Sequence, residues 1–442
     1  MKKLKRVLCC FSALLIIVLS VFSSSAITYD YSKIEREMVS DTILLVNMDT
    51  GIPVIEKNAD KVRYPASLTK IMTYIIAMEN IDDVYNTRVK IRQDVLDPLL
   101  GTGSSMSGLD YKVGEKVTVI DLLYCLMVTS GNDAALVLAD YVGNGDTEKF
   151  VDMMNAKAKE LGCNDTHFVN PHGLHHEDHY STANDLYKIT SYALTLPLFS
   201  EISNTATYYC EGDDYPLVTT NFMIDVNRGG EYYYTYAQGI KTGTTDEAGR
   251  CLITTGIADG YAYMCICMGA PYADSVNNGA MLDAREILRW ALLDLELARM
   301  ITPETPVCEA DINFSAGEDT ILLYPAKTVN AILPKERLEE DVRVESDIPD
   351  SVDAPIKKGD VIGKATVYYK GEAVQTVELV AGEDVEKSGF AYTMHVFKSI
   401  LSSWQFWIAF VIAIILVIVY IALISNVRSR NKRRNVKKYR RM

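Results

Sequence analysis

The chain has 442 residues, 48% of them apolar and 23% charged, with 26 Gly and 13 Pro. That mix excludes a disordered or collagen-like chain, and the length fits two to three folded units. The formal net charge of −14 is unevenly spread: residues 1–26 hold four basic residues, residues 404–442 hold nine, and neither stretch holds an acid. The middle is left with 31 Lys+Arg against 58 Asp+Glu, and this excess of acid excludes a nucleic-acid partner.

Lys2-Lys3-Leu4-Lys5-Arg6, an apolar run from Val7 to Phe22 and the small residues Ser23 to Ala26 predict a signal peptide over 1–26. A retained first membrane helix fits less well, because the run exits through small residues. Within an expected first domain over 27–300, residues 40–300 alternate helical and strand patterns, as an α/β unit does. Thr42 to Val46, Asp49-Thr50-Gly51 and Val54-Ile55 read as a hairpin. From Ser67 on, Leu68, Ile71, Met72, Ile75 and Ile76 fall on one helical stripe. Val119 to Val128 and Ala134 to Val142 predict two more buried helices. Cys251 to Ala258 and Tyr261 to Met268 flank Asp259-Gly260, a two-residue hairpin turn. Met281 to Arg299 reads as a closing helix.

After Pro303 and Pro306 short alternating strands over 307–381 predict a small all-β, sandwich-like domain, with turns at Lys357-Lys358-Gly359-Asp360 and Lys370-Gly371-Glu372. Residues 382–403 form a juxtamembrane connector. Phe406 to Ile424 is 19 residues without a charge, ~28 Å as a helix, so 404–424 is expected to span a membrane. Trp404, Trp407 and Tyr420 stand at its ends, where amphipathic rings favour the interface. The basic tail, 425–442, is expected in the cytoplasm by the positive-inside rule and the rest outside. Seven cysteines beyond the signal, odd in number and scattered, read as buried small hydrophobes rather than a disulfide framework.

Three short stretches could carry chemistry. Ser67-Leu68-Thr69-Lys70 puts a hydroxyl and an amine one helical turn apart, and a desolvated lysine can take a serine proton. A serine at a helix start is, however, most often an N-cap. Ser130-Gly131-Asn132 separates two apolar helices, either as a plain cap and turn or as a proton relay beside an amide. Lys241-Thr242-Gly243-Thr244 ends a strand, either as an edge-strand lysine or as an anion-binding edge. Such a triplet, in this order, occurs in class A β-lactamases and penicillin-binding proteins.

With Tyr64-Pro65-Ala66 before Ser67, Asn170-Pro171-His172-Gly173-Leu174, and His179-Tyr180-Ser181-Thr182-Ala183, the chain resembles the D-alanyl-D-alanine carboxypeptidases of the low-molecular-mass penicillin-binding type. The resemblance covers roughly 38–300, and the β module resembles that family's C-terminal domain. It implies an α/β (α+β) fold of the serine β-lactamase/DD-peptidase type. It also implies acyl transfer from peptidoglycan stem peptides ending in D-Ala-D-Ala, with β-lactams as covalent inhibitors and no metal or cofactor. By the same resemblance Ser67 is the nucleophile, Lys70 its base and Ser130 the proton relay. Asn132, Lys241, Thr242, Gly243 and Thr244 would bind substrate. Two departures stand out: a full span where familiar members carry an amphipathic helix, and Ala270-Pro271-Tyr272 where some carry an arginine.

Three rivals differ in class. His167, His172, His175, His176 and His179 with Glu177 and Asp178 suggest zinc, but Pro171 and Gly173 break any helix and no H-E-x-x-H spacing exists. A β-lactamase would need a deacylating glutamate, for which Glu177 is the one candidate. A non-catalytic penicillin sensor would need an output domain, and the tail from Asn426 is short.

Overall fold

The computed structural model describes residues 31–35, 37–272 and 277–439, so the expected signal peptide lies outside the described residues. The described chain divides into two units. The first holds the residues up to Ala298 with Ala331–Glu339; the second holds Arg299–Asn330 and Glu340 onward.

In the first unit β1 (Thr42–Asn47) and β2 (Pro53–Lys57) form the expected hairpin. They join β3 (Ala237–Thr245), β4 (Gly249–Ala258) and β5 (Tyr261–Ala270) in one antiparallel sheet, ordered β2-β1-β5-β4-β3. The β4–β5 turn falls where the sequence puts it. Asp259 and Gly260 both have positive φ, 52° and 82°, the conformation that lets a two-residue loop follow strand twist. Every residue of β1 is buried, because the sheet is covered on both faces. One cover is α6 (Gly279–Asp294), packed on β4 and β5. The other is a helical cluster of α1 (Lys70–Asn80), α2 (Val119–Met127), α3 (Asn132–Gly143), α4 (Thr147–Glu160) and α5 (Ala183–Ala193).

Two elements depart from the sequence reading. The apolar stripe of α1 is wider than predicted: Lys70 through Ala77 are all buried, since the helix runs through the cluster and not over its surface. Its polar groups are accordingly paired, Thr73 Oγ1 donating to Pro171 O at 2.5 Å and Tyr74 Oη to Pro197 O at 2.7 Å. The closing helix stops at Asp294 and not near Arg299. Lys335 ends it, giving its N–H to Asp294 O and its ammonium to the carbonyls of Leu292 and Leu293. Leu295–Ile301 then runs as a strand.

The second unit carries a six-stranded sheet of β6 (Cys308–Asn313), β7 (Thr320–Pro325), β8 (Val342–Asp347), β9 (Ser351–Asp353), β10 (Val361–Tyr369) and β11 (Glu372–Ala381). Its order is β8-β10-β11-β7-β6-β9, and Lys370-Gly371 turns β10 into β11 with φ of 48° and 86°. The connector is partly helical, α7 (Gly389–Ser402), and α8 (Trp404–Tyr439) follows. Within α8 the stretch Trp404–Ser429 is long and apolar enough to cross a membrane, and its side chains are not buried by protein.

Ile75 is fully buried between the helices and the sheet. Ile75→Ala should cost about 2–5 kcal/mol, read as a lower midpoint in urea unfolding of the full chain. A cost under ~0.5 kcal/mol would contradict a close-packed cluster around α1.

Candidate active site

Ser67 sits in a 3-10 turn, Ala66–Thr69, that feeds α1. Its hydroxyl does not cap the helix; it accepts a hydrogen bond from Lys70 Nζ at 2.8 Å. The turn is tight because Ala66 has a φ of 47°, a conformation that costs an alanine about 1 kcal/mol or more. Three groups hold it there. Thr69 Oγ1 donates to Ala66 O at 2.8 Å, and His179 Nε2 lies 2.8 Å from the same hydroxyl. His179 Nδ1 accepts from the Val169 N–H, so its proton is on Nε2 and points at Thr69. Gly173 is pressed so close that a Cβ would fall 1.9 Å from Ala66 O.

Lys70 is fully buried, and all three of its hydrogen bonds go to neutral acceptors: Ser67 Oγ, Asn132 Oδ1 at 2.6 Å and His172 O at 2.7 Å. Burial pushes its pKa well below the ordinary lysine value, and the nearby charge of Lys241 pushes the same way against a weaker pull from Asp133. Lys241 is buried as well, and burial lowers its pKa to about 7. A lysine placed to guard a sheet edge would be solvated; this one is not.

The Ser130 turn is a rigid corner between α2 and α3. Ser130 has a φ of 61° and is buried. Gly131 N–H and Thr129 Oγ1 both donate to Cys125 O, and Asn132 N–H donates to Ser105 O. A side chain on Gly131 would meet Asp133 Oδ1 at 2.6 Å and Ser107 at 2.8 Å. Asp133 in turn accepts from the N–H groups of Ser107, Leu109 and Ala134, which ties the 105–109 loop to this corner.

β3 is one of the sheet's two edge strands, and it passes directly beside the Ser67 turn. A Cβ on Gly243 would lie 2.9 Å from Pro65 O and 3.1 Å from Ser67 N. Lys241 Nζ donates to Thr242 O at 3.0 Å, Thr242 Oγ1 lies 2.5 Å from Thr220 Oγ1, and Thr244 is exposed. The fold thus brings Ser67, Lys70 and Asn132 into direct contact, sets Gly243 against Ser67, and brings Lys241 near enough to act on Lys70. Ser130 and Thr244 are positioned by their backbones, without a side-chain hydrogen bond to that group.

Sequence reasoning missed four contributors. Thr69, His179 and Gly173 act only through Ala66, and Thr220 belongs to no motif; the left-handed alanine that unites the first three leaves no composition signal. The histidine cluster does not assemble, and no group of metal-binding side chains occurs among the described residues. His172 and His179 are buried, which lowers both to about 3 and keeps them neutral, while Glu177 is exposed.

Residues 30–272 match the family model described as D-alanyl-D-alanine carboxypeptidase, and residues 304–387 match the penicillin-binding protein 5 C-terminal domain. The chain is 30% identical over 385 residues to D-alanyl-D-alanine carboxypeptidase DacF of Bacillus subtilis, covering 86% of this chain and 95% of that one. It is 28% identical to DacC of Escherichia coli over 382 residues, covering 82% and 89%. Among solved structures, DacD from Francisella tularensis superposes with a TM-score of 0.63 at 25% identity, over 83% of this chain and 96% of that one. Penicillin-binding protein 5 from Haemophilus influenzae gives 0.59 at 25% identity, over 79% and 98%.

Gly243→Ala tests the contact between β3 and Ser67. The added methyl meets backbone and not a flexible side chain, so ~1–3 kcal/mol of overpacking is expected. Penicillin acylation of the full chain should slow at least tenfold while its far-ultraviolet circular dichroism is unchanged. Unchanged acylation would mean that the strand is not fixed against the Ser67 turn.

Proposed function

Because the chain belongs to the D-alanyl-D-alanine carboxypeptidase family, we propose that the Ser67 centre releases the terminal D-alanine of peptidoglycan stem peptides. The protein is a serine-type DD-carboxypeptidase, a hydrolase of the penicillin-binding class. The observation that carries the assignment to Ser67 is its hydrogen bond to a buried lysine with neutral partners. A solvated lysine is charged at neutral pH and cannot accept a proton; a desolvated one can.

In this reading neutral Lys70 takes the Ser67 proton as Oγ attacks the carbonyl between the two D-alanines. The N–H groups of Ser67 and Thr244 receive the oxyanion, consistent with the close pass of Gly243 by Ser67 N. Ser130 hands a proton to the leaving amine. Asn132 holds the peptide amide, and Lys241, Thr242 and Thr244 hold the terminal carboxylate, with Gly243 keeping the strand close. Water then hydrolyses the Ser67 ester. A β-lactam enters the same way and stays bound as the ester.

Residues 27–300 form the catalytic domain in this proposal and 307–381 an appended β domain. The span 404–424 anchors the protein after removal of 1–26, with catalysis outside the cell and the tail 425–442 inside. The apolar Trp404–Ser429 helix and the lopsided basic charge support that topology.

Ser67→Ala in the full chain should lower D-alanine release from a diacyl-L-Lys-D-Ala-D-Ala peptide by on the order of 10³-fold or more. The penicillin adduct should vanish from the intact mass as well. Persisting release would place the nucleophile elsewhere.

The two lysines also set a pH dependence. Lys70 must be neutral, so kcat/KM falls on the acid side. Lys241 must be charged to draw a carboxylate, so kcat/KM falls again above pH about 7. Losing the charge-assisted bond in Lys241→Met should lower kcat/KM about 10- to 100-fold, remove the basic limb and shift the acid limb to higher pH, because the Lys241 charge that lowers Lys70 is gone. A basic limb that survives in this variant would assign it to another group.

A further inference from the structure

Outside the serine centre the first unit holds two close pairs of buried thiols. Cys265 and Cys267 lie 3.8 Å apart, Cys125 and Cys210 lie 3.9 Å apart, and none is bridged. Their backbones allow different things. Cys265 and Cys267 are two residues apart on β5, paired on one side with Leu45 and Ile43 and on the other with Thr254 and Leu252. That spacing separates Cα atoms by ~6.6 Å, near the upper limit for a disulfide, and a strand laddered on both edges cannot contract. Cys125 is on α2, whereas Cys210 follows the two-residue strand Thr207–Tyr208 in a stretch without regular structure. Such a stretch can supply the roughly 2 Å that closure requires.

Two further observations single out this second pair. Lys112, bound to Asp213 at 2.6 Å, has a raised pKa: against its burial, Asp213 and then the thiols of Cys210 and Cys125 favour its charge. The Cys210 thiol beside it, and then burial, push the Cys125 thiol well up, so Cys125 is the resolving partner and closure runs faster at alkaline pH. Cys125 is moreover the residue whose carbonyl receives Gly131 N–H and Thr129 Oγ1, so it carries the Ser130 corner. The chain after Cys210 leads to Thr220, whose N–H donates to Val128 O and whose hydroxyl meets Thr242.

We propose that Cys125 and Cys210 are a disulfide-forming pair that staples the Ser130 corner to the segment leading to β3. Cys210, 5% exposed against 1% for Cys125, is the point of attack. Its thiolate attacks a small-molecule disulfide RSSR and expels RS⁻. The Cys125 thiolate then attacks the mixed disulfide at Cys210 and expels a second RS⁻. Two electrons pass from the cysteines to RSSR, and the two thiol protons leave on two RSH. The bridge closes a chain separation of 85 residues, so it stabilises by restricting the unfolded state. None of this depends on Ser67 being the nucleophile.

The test uses the full chain in detergent, equilibrated with oxidised glutathione or with dithiothreitol, then alkylated and digested without reduction. The oxidised sample should lose two hydrogens in intact mass and yield one cross-linked peptide pair containing Cys125 and Cys210. Its thermal midpoint should lie several degrees above that of the reduced sample. Cys265→Ala should leave link and shift intact, and Cys210→Ser should remove both. Cys125→Ala serves if the serine variant does not fold. Both cysteines still free, a link through Cys265 and Cys267, a lasting glutathione adduct on Cys210, or a link without a thermal shift would each overturn the proposal.

Discussion

A lysine stripped of water and given only neutral acceptors is the constraint on which the site depends. Burying an ammonium costs several kcal/mol unless the proton is surrendered, and that cost pushes Lys70 towards the neutral form that the proposed base role needs. The helices of the first unit are arranged to enforce that burial. α1 runs through the cluster rather than across it, and α3 presents Asn132 from above. The loop before α5 lends the His172 carbonyl. A carboxylate among these partners would hold the proton in place; Asp133, the nearest acid to weigh on Lys70, is instead occupied with the backbone of the 105–109 loop.

Strain is the second ingredient, and it is local. Ala66 adopts a left-handed conformation just before Ser67, whose hydroxyl accepts from Lys70 and does not cap the helix. The turn survives because Thr69, His179 and the absent side chain of Gly173 all bear on the same carbonyl. A histidine held neutral by burial is a suitable prop, since its hydrogen bond keeps one polarity over the pH range in which the lysines titrate. The cluster of histidines that suggests a metal in the sequence is, in the fold, partly scaffolding for a serine.

Much of this was legible beforehand, and the reason differs from element to element. The Asp259-Gly260 turn and the β1–β2 hairpin rest on local chemistry, which a sequence displays directly. Ser67, Lys70, Ser130, Asn132 and Lys241 stand out because three short motifs recur in a fixed order. The end of α6 was misread because its stop signal, Lys335, lies about forty residues downstream in the chain. The burial of α1 from Lys70 to Ala77 was understated for a similar reason: Lys70 and Thr73 look like a polar face until their partners, on remote loops, are known. Tertiary partners overrule periodicity where polar groups are sequestered.

The position of β3 carries one more consequence. β3 ends its sheet, as the proposed reading of a peptide along it requires, and an unpaired edge is also a template for another chain. The usual deterrent, a solvated lysine in the strand, is denied here because Lys241 is buried. The chain's net charge of −14 opposes such pairing, a long-range repulsion that fades as ionic strength rises. Colloidal behaviour in salt is thereby tied to the same strand that passes beside Ser67.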